Sequence, residues 1–145
     1  MATADPPADD HGRVAVAWHV TGDVAAAPDC VSLARHAVVG LLDRYGAPAA
    51  LSARAALAVS EAVTNVVLHA YPDHRLPGPV RFDADIEEGD LEIVVADDGV
   101  GLRAGQDGDR LGLGLMLIAA VTDDFAITTH RSGLEVWMRF VVDPG

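Results

Sequence analysis

The chain has 145 residues, is 50% hydrophobic and carries a formal net charge of -12. That is the length of one domain, enough to bury about 70% of the surface its unfolded chain would expose. Its 10 basic residues are all arginine, which excludes a lysine-dependent phosphate loop, the strand lysine of the common protein-kinase fold and Schiff-base chemistry on lysine.

The excess of 22 acids over those arginines argues against a nucleic-acid backbone or an anionic membrane surface as partner, since both are bound through cations. Cys30 is the single cysteine, so neither an internal disulfide nor a cysteine-rich zinc site can form, and a cytoplasmic location is expected. The opening residues lack the apolar core of a signal peptide. The longest apolar stretch is read as Leu111 to Val121, too short to cross a bilayer.

Residues 1–12, acidic and rich in Pro and Ala, read as a disordered tail, followed by one domain over 13–145. Arg13–Val20 alternates weakly and predicts a strand; Thr21–Ala27 reads as a turn. Pro28-Asp29 opens a helical pattern through Val31, Ala34, Val38, Leu41, Leu42 and Tyr45, which Gly46 and Pro48 end. Ser52 is the expected N-cap of a second helix that runs to Tyr71, before Pro72. Val80–Ile86 and Leu91–Ala96 form a hairpin about Glu88-Gly89-Asp90. Asp97–Arg110, rich in Gly and Asp, reads as a loop, and Leu113–Val121 as an apolar helix opened by glycines. Phe125–His130 and Glu135–Val142 make a second hairpin across Ser132-Gly133. This order predicts an α+β fold, a two-layer sandwich with helices on one face of a mixed, largely antiparallel sheet.

Three segments carry chemistry. The second helix is small or apolar at almost every position from Ala55 to Tyr71, the signature of a buried helix. Yet Glu61, Asn65 and His69 recur at i, i+4 and i+8 along one side. Burying an unpaired carboxylate and amide costs several kcal/mol, so the stripe faces either solvent or a ligand. As a ligand site, the Asn oxygen suits a hard Mg²⁺ ion that keeps several waters, and the Glu could accept a proton from a hydroxyl nearby. His69 alone reads as a structural hydrogen-bonding group.

The strand Leu91–Ala96 ends in Asp97-Asp98-Gly99-Val100-Gly101. Alternating glycines let a planar ligand approach the backbone, and a carboxylate there can accept a hydrogen bond from an exocyclic amine. A calcium loop fails, because counting from Asp97 the ligand places hold Gly99, Gly101 and Gly108. Leu111-Gly112-Leu113-Gly114-Leu115 then enters a helix, where glycines either free backbone N–H groups for an anion or permit close packing. A Rossmann G-x-G-x-x-G is not present.

In this order the segments resemble the GHKL (Bergerat-fold) ATP-binding superfamily, which includes gyrase, MutL and histidine kinases. Ser60–Tyr71 is similar to its N box, Asp97–Gly101 to its first glycine box and Leu111–Leu117 to the second. The wording SEAVTN…HAY and LGLGLMLI is most similar to the bacterial anti-sigma-factor serine-protein kinases. The resemblance implies ATP and Mg²⁺ as cofactors. It implies Asn65 as the Mg²⁺ ligand, Glu61 as general base, Asp97 as the adenine-reading carboxylate bordered by Gly99 and Gly101, and Gly112 and Gly114 at the phosphates. His69 matches a recurrent N-box position, and Leu102–Leu111 takes the place of the lid over ATP. Its arginines, Arg103 and Arg110, are candidates for neutralising phosphate charge. Where the family often shows Gly-Thr after the last turn, this chain has Gly133-Leu134, and Thr128 or Thr129 would have to substitute.

The expected activity is transfer of the ATP γ-phosphate to a Ser or Thr of an anti-sigma-factor antagonist, a small STAS-type protein. A sigma factor is the second, mutually exclusive partner, and a homodimer is implied by likeness alone. Two other readings stand beside it: a catalytically silent, ATP-responsive module that sequesters a partner, and an ATPase whose nucleophile is water.

Overall fold

A computed structural model describes residues 18–72, 75–100 and 108–142, the side chains at 108–111 excepted. The predicted tail at 1–12 and the start of the first predicted strand at 13–17 lie outside these residues. Five strands form, β1 (Trp18–Ala25), β2 (Pro79–Glu87), β3 (Asp90–Asp97), β4 (Asp124–His130) and β5 (Gly133–Val141). The helices are α1 (Cys30–Tyr45), α2 (Ala49–Asn65), which continues as a π-helical turn over Val66–Ala70, and α3 (Gly108–Val121). The sheet order is β1-β2-β3-β5-β4. Every pairing among the described residues is antiparallel.

Alternation sets which face is dry. Val80, Phe82, Ala84 and Ile86 of β2, Leu91, Ile93 and Val95 of β3, and Leu134, Val136, Met138 and Phe140 of β5 are all buried. They meet Val38, Leu41 and Leu42 of α1, Ala55, Ala58, Val59, Ala62 and Val63 of α2, and Ile118 of α3 in one core. The predicted two-layer sandwich is therefore what forms. Asp97 continues the inward series of β3 and is itself buried. A carboxylate at a position the pattern reserves for an aliphatic side chain is the first structural sign of a site.

Three boundaries differ from the sequence reading. β1 continues through Thr21-Gly22-Asp23, where a turn was expected, because Gly22 pairs with Phe82. A Cβ at position 22 would stand 2.4 Å from the Phe82 ring, so this glycine makes room for an aromatic core residue and does not bend the chain. α2 opens directly after Pro48, whose ψ of 146° is extended. Ser52 therefore lies buried inside the helix and is not its N-cap. α3 starts at Gly108, five residues before the predicted Leu113, which puts Gly112 and Gly114 in its second turn.

The run Ala49–Ala70, and not Leu111–Val121, is the longest apolar stretch, and it is long and apolar enough to span a bilayer by length and composition. Here it is the central helix of the helical layer, packed against α1, α3 and strands β3 and β5. Ala55, Ala58 and Val59 have no exposed surface.

Arg54 ties α2 to the far end of α3. Its Nε donates to the carbonyl of Val121 at 2.8 Å, and its Nη2 lies 3.5 Å from Asp123 Oδ2. The guanidinium also sits 5.7 Å from the centroid of the Phe140 ring. A cation at the last carbonyls of a helix opposes the negative end of its dipole. Replacing Arg54 with Ala should lower stability by about 1–2 kcal/mol, read as an earlier urea midpoint at unchanged slope. An unchanged midpoint would show that the clamp adds nothing.

Candidate functional site

The site begins on α2. Four residues of α-helix overshoot one turn by about 40°, so Glu61, Asn65 and His69 would drift round the axis of a regular helix. The π-helical turn over Val66–Ala70 widens the backbone to i→i+5 bonding, and four residues then fall back into line. Asn65 and His69, both buried, consequently line one cleft together with Ala62, Val66, Ala70, Val95, Asp97, Leu134 and Val136. A second cleft is lined by Glu61, Thr64, Asn65, Leu68, His69, Leu113, Gly114 and Leu117. The two clefts share Asn65 and His69. They are therefore neighbours, the enclosed one lined by Asp97 and the more open one by Glu61.

Asp97 is held from both sides. The Gly99 N–H donates to its Oδ1 at 2.9 Å, and the Leu134 N–H also bonds the carboxyl. Burial pushes its pKa above the ordinary carboxylate value, and these two N–H groups work against that shift. The cleft wall beside it, Ala62, Val66, Val95, Leu134 and Val136, is apolar. A flat heteroaromatic ring with an amine edge suits such a slot, because its faces need apolar walls and its amine needs one buried acceptor.

The glycines are fixed by contact. A Cβ on Gly99 would lie 2.1 Å from the Ala70 carbonyl oxygen, and the next residue, Val100, donates its N–H to that same oxygen at 2.9 Å. The first glycine loop is thus sewn to the end of the π turn. Gly133, at φ 131°, would carry a Cβ 2.0 Å from the Asp97 carbonyl oxygen. Gly114 faces the other cleft, where a Cβ would stand 3.2 Å from both amide atoms of Asn65 and 3.3 Å from Glu61 Oε2. The missing side chain at 114 keeps the space before those two groups open. Gly112 has nothing within 4 Å of where its Cβ would be.

The donor set fits a particular kind of cation. Among the described residues no cluster of three or more His, Cys, Asp or Glu could hold a metal ion, so a site of the zinc or calcium kind is not built. One amide oxygen beside one carboxylate suits an ion that keeps its waters and takes its remaining ligands from a phosphate, as Mg²⁺ does.

Of the residues singled out from sequence, Glu61, Asn65, His69, Asp97, Gly99 and Gly114 come together. Gly101 and Arg103 lie outside the described residues, as does the side chain of Arg110. Thr128 and Thr129 do not stand in for the threonine missing at 134. Both are exposed on β4, and neither lines either cleft. Leu134 itself is a cleft wall, and its backbone N–H reaches Asp97.

Sequence reasoning missed a supporting group. The Tyr71 hydroxyl donates to the Pro79 carbonyl and accepts from the Asp98 N–H at 2.9 Å. Asp98 in turn takes two hydrogen bonds from Arg81, at 3.0 and 2.9 Å, which hold its carboxyl below the usual range. Gly78 allows the Tyr71 ring to lie flat there, since a Cβ would come within 2.3 Å of it. This network fixes the chain immediately after Asp97. Tyr71→Phe should cost about 1 kcal/mol of stability and weaken nucleotide binding several-fold, measured by titration. Equal affinity in the two proteins would remove Tyr71 from the site.

The model of the histidine kinase-like ATPase domain matches residues 24–140. Over 134 residues the chain is 32% identical to the serine-protein kinase RsbW of Listeria innocua, covering 82% of this chain and 84% of that one. Over 94 residues it is 33% identical to the anti-sigma F factor of Clostridium novyi, spanning 57% of this chain and 65% of that protein. The crystal structure of the RsbU and RsbW domains of a Mycobacterium tuberculosis protein shares the fold, with a TM-score of 0.68 at 21% identity over 88% of this chain and 32% of that one. The chain belongs to the histidine kinase-like ATPase family, among its RsbW-like serine-protein kinases.

Proposed function

We propose that the protein is an anti-sigma factor that transfers the γ-phosphate of ATP to a Ser or Thr of its antagonist. The observation that carries this reading is the pair of neighbouring clefts that share Asn65 and His69, one lined by Asp97 and the other by Glu61. Asp97 would accept the adenine amine between apolar walls. Asn65 would hold Mg²⁺ through its amide oxygen, and Gly112 and Gly114 would let the start of α3 approach the phosphates, with Arg103 and Arg110 as charge partners. When bound, Mg²⁺ supplies neutralisation of phosphate charge that a chain of net charge -12 lacks. Glu61, in the more open cleft, takes the proton of the incoming hydroxyl. Leu134 offers no hydroxyl, so adenine recognition rests on Asp97 itself.

One relative's name, anti-sigma F factor, supports a sigma factor as partner; the phosphate acceptor we take to be an antagonist that competes for it. We take the antagonist to be a STAS-type domain, the kinase to act as a homodimer and both to meet it in the cytoplasm. Phosphorylation adds about -1.5 to -2 charge to the antagonist. Facing so acidic a chain, the product is expected to dissociate and leave the sigma factor bound.

The test is incubation with γ-labelled ATP, with and without Mg²⁺, in the presence of candidate antagonists. Label on a Ser or Thr of one antagonist, dependent on Mg²⁺, is the expected result. Free phosphate alone would point to water as nucleophile. Mg²⁺-dependent nucleotide binding with no turnover would leave a sequestering module.

A further inference from the structure

Helix α3 has an apolar side too many. Its inward positions, Gly114 and Ile118, close on Asn65 and the core. Its outward stripe at i, i+3 and i+7 is also uncharged: Leu113, Met116 and Ala120. Leu113 is 64% exposed and Met116 70%. Across the cleft Leu68, on the π-helical turn, is 64% exposed as well. A helix apolar on all sides is ordinarily covered, and exposed apolar groups gathered on one patch mark an interaction surface. From Gly112 to Val121 there is no ionisable side chain, in a protein whose net charge is -12. This is a neutral, greasy window in an acidic molecule.

The window's position says what covers it. Leu68 and Leu113 line the same cleft as Glu61, so any protein whose hydroxyl reaches that carboxylate must lie across them. A second copy of this chain seated there would close the cleft to every acceptor. We propose that Leu68, Leu113 and Met116 form the docking rim for the acceptor protein and select a Ser or Thr set among apolar residues. This rests on the phosphotransfer reading of the cleft. An unbranched Met at the rim adapts to the shape of such a partner, and apolar contacts are weakly sensitive to salt.

The probe is the antagonist identified by the labelling assay. Met116→Gln, and then Leu113→Gln with Met116→Gln, should raise the KM for that acceptor about 10-fold or more. Met116→Gln should leave ATP affinity, measured by titration, within about twofold of the parent, which shows that the variant is folded. Replacing the apolar neighbours of the acceptor's own Ser or Thr with Ser should raise KM by a similar factor, with little further loss in the rim double variant. The parent KM should change less than about threefold between 50 mM and 500 mM salt. An unchanged KM in the rim variants, or a steeply salt-dependent one, overturns the proposal while leaving the kinase reading intact. A rim double variant that dissociates a parent dimer without moving KM overturns it too, and assigns the patch to self-association. If the parent labels no antagonist at all, the kinase reading fails and this proposal fails with it.

Discussion

A Glu61→Gln protein will bind ATP as the parent does and transfer phosphate roughly 100- to 10,000-fold more slowly, the span expected for removing a positioned general base. The substitution keeps the side chain's length and one acceptor oxygen, so its neighbours Asn65 and Gly114 keep their packing. It removes the one carboxylate at the outer cleft, which among the described lining residues has only His69 as another ionisable group. The adenine end is untouched, since Glu61 does not line that cleft. The measurement is single-turnover transfer of label to the antagonist beside a nucleotide titration on the same preparation. Equal rates in the two proteins would strip Glu61 of its role and put the proton on another acceptor or on water. Loss of ATP binding would instead make Glu61 a ligand-holding group.

How much of this was legible in the sequence follows from which interactions are local. Helix and strand periods gave all eight main elements, because α2 and the five later elements follow 3.6- or 2-residue patterns. The pattern also singled out Glu61, Asn65 and Asp97, which line the two clefts, since a polar group inside a greasy period stands out. What failed depended on partners distant in the chain. Thr21-Gly22-Asp23 has the composition of a turn, yet it is strand because the Phe82 ring, 60 residues on, needs the empty space at Gly22. Ser52 resembles an N-cap, but Pro48 had already turned the backbone extended and opened the helix. The π-helical turn leaves no compositional trace: its residues, Val66–Ala70, continue an ordinary helical pattern. It shows itself only where Ala70 must reach the Val100 N–H. Tyr71 and Arg81 were invisible for the same reason, since their partners Pro79 and Asp98 are set by β2 meeting β3.

Asp97→Asn should weaken ATP binding about 10- to 100-fold, the effect of losing a hydrogen bond to a charged acceptor in a buried site. The loss is sharper than size suggests. One oxygen is already engaged by the Gly99 N–H. An amide that keeps its oxygen there turns its NH₂ group toward the slot, and two donors then face each other where adenine's amine must enter. The free protein should respond in the opposite sense. Burial raises the Asp97 pKa, so the folded state holds its proton more tightly than the unfolded chain does. The stability this contributes is complete below the unfolded carboxyl's pKa and is lost as pH rises through the raised folded value. Above that raised value the ionised, buried carboxylate is therefore a burden on the apo fold, and there the Asn variant is expected to melt at the same temperature or higher. That margin should shrink as pH is lowered toward the carboxylate range, where wild-type Asp97 regains its proton. Thermal melts across pH and nucleotide titrations at neutral pH, on both proteins, check the two halves together. A variant that binds ATP normally would remove Asp97 as the base reader. One that melts lower at neutral pH and keeps that deficit in acid would show that its hydrogen bonds to Gly99 and Leu134 outweigh the cost of its buried charge.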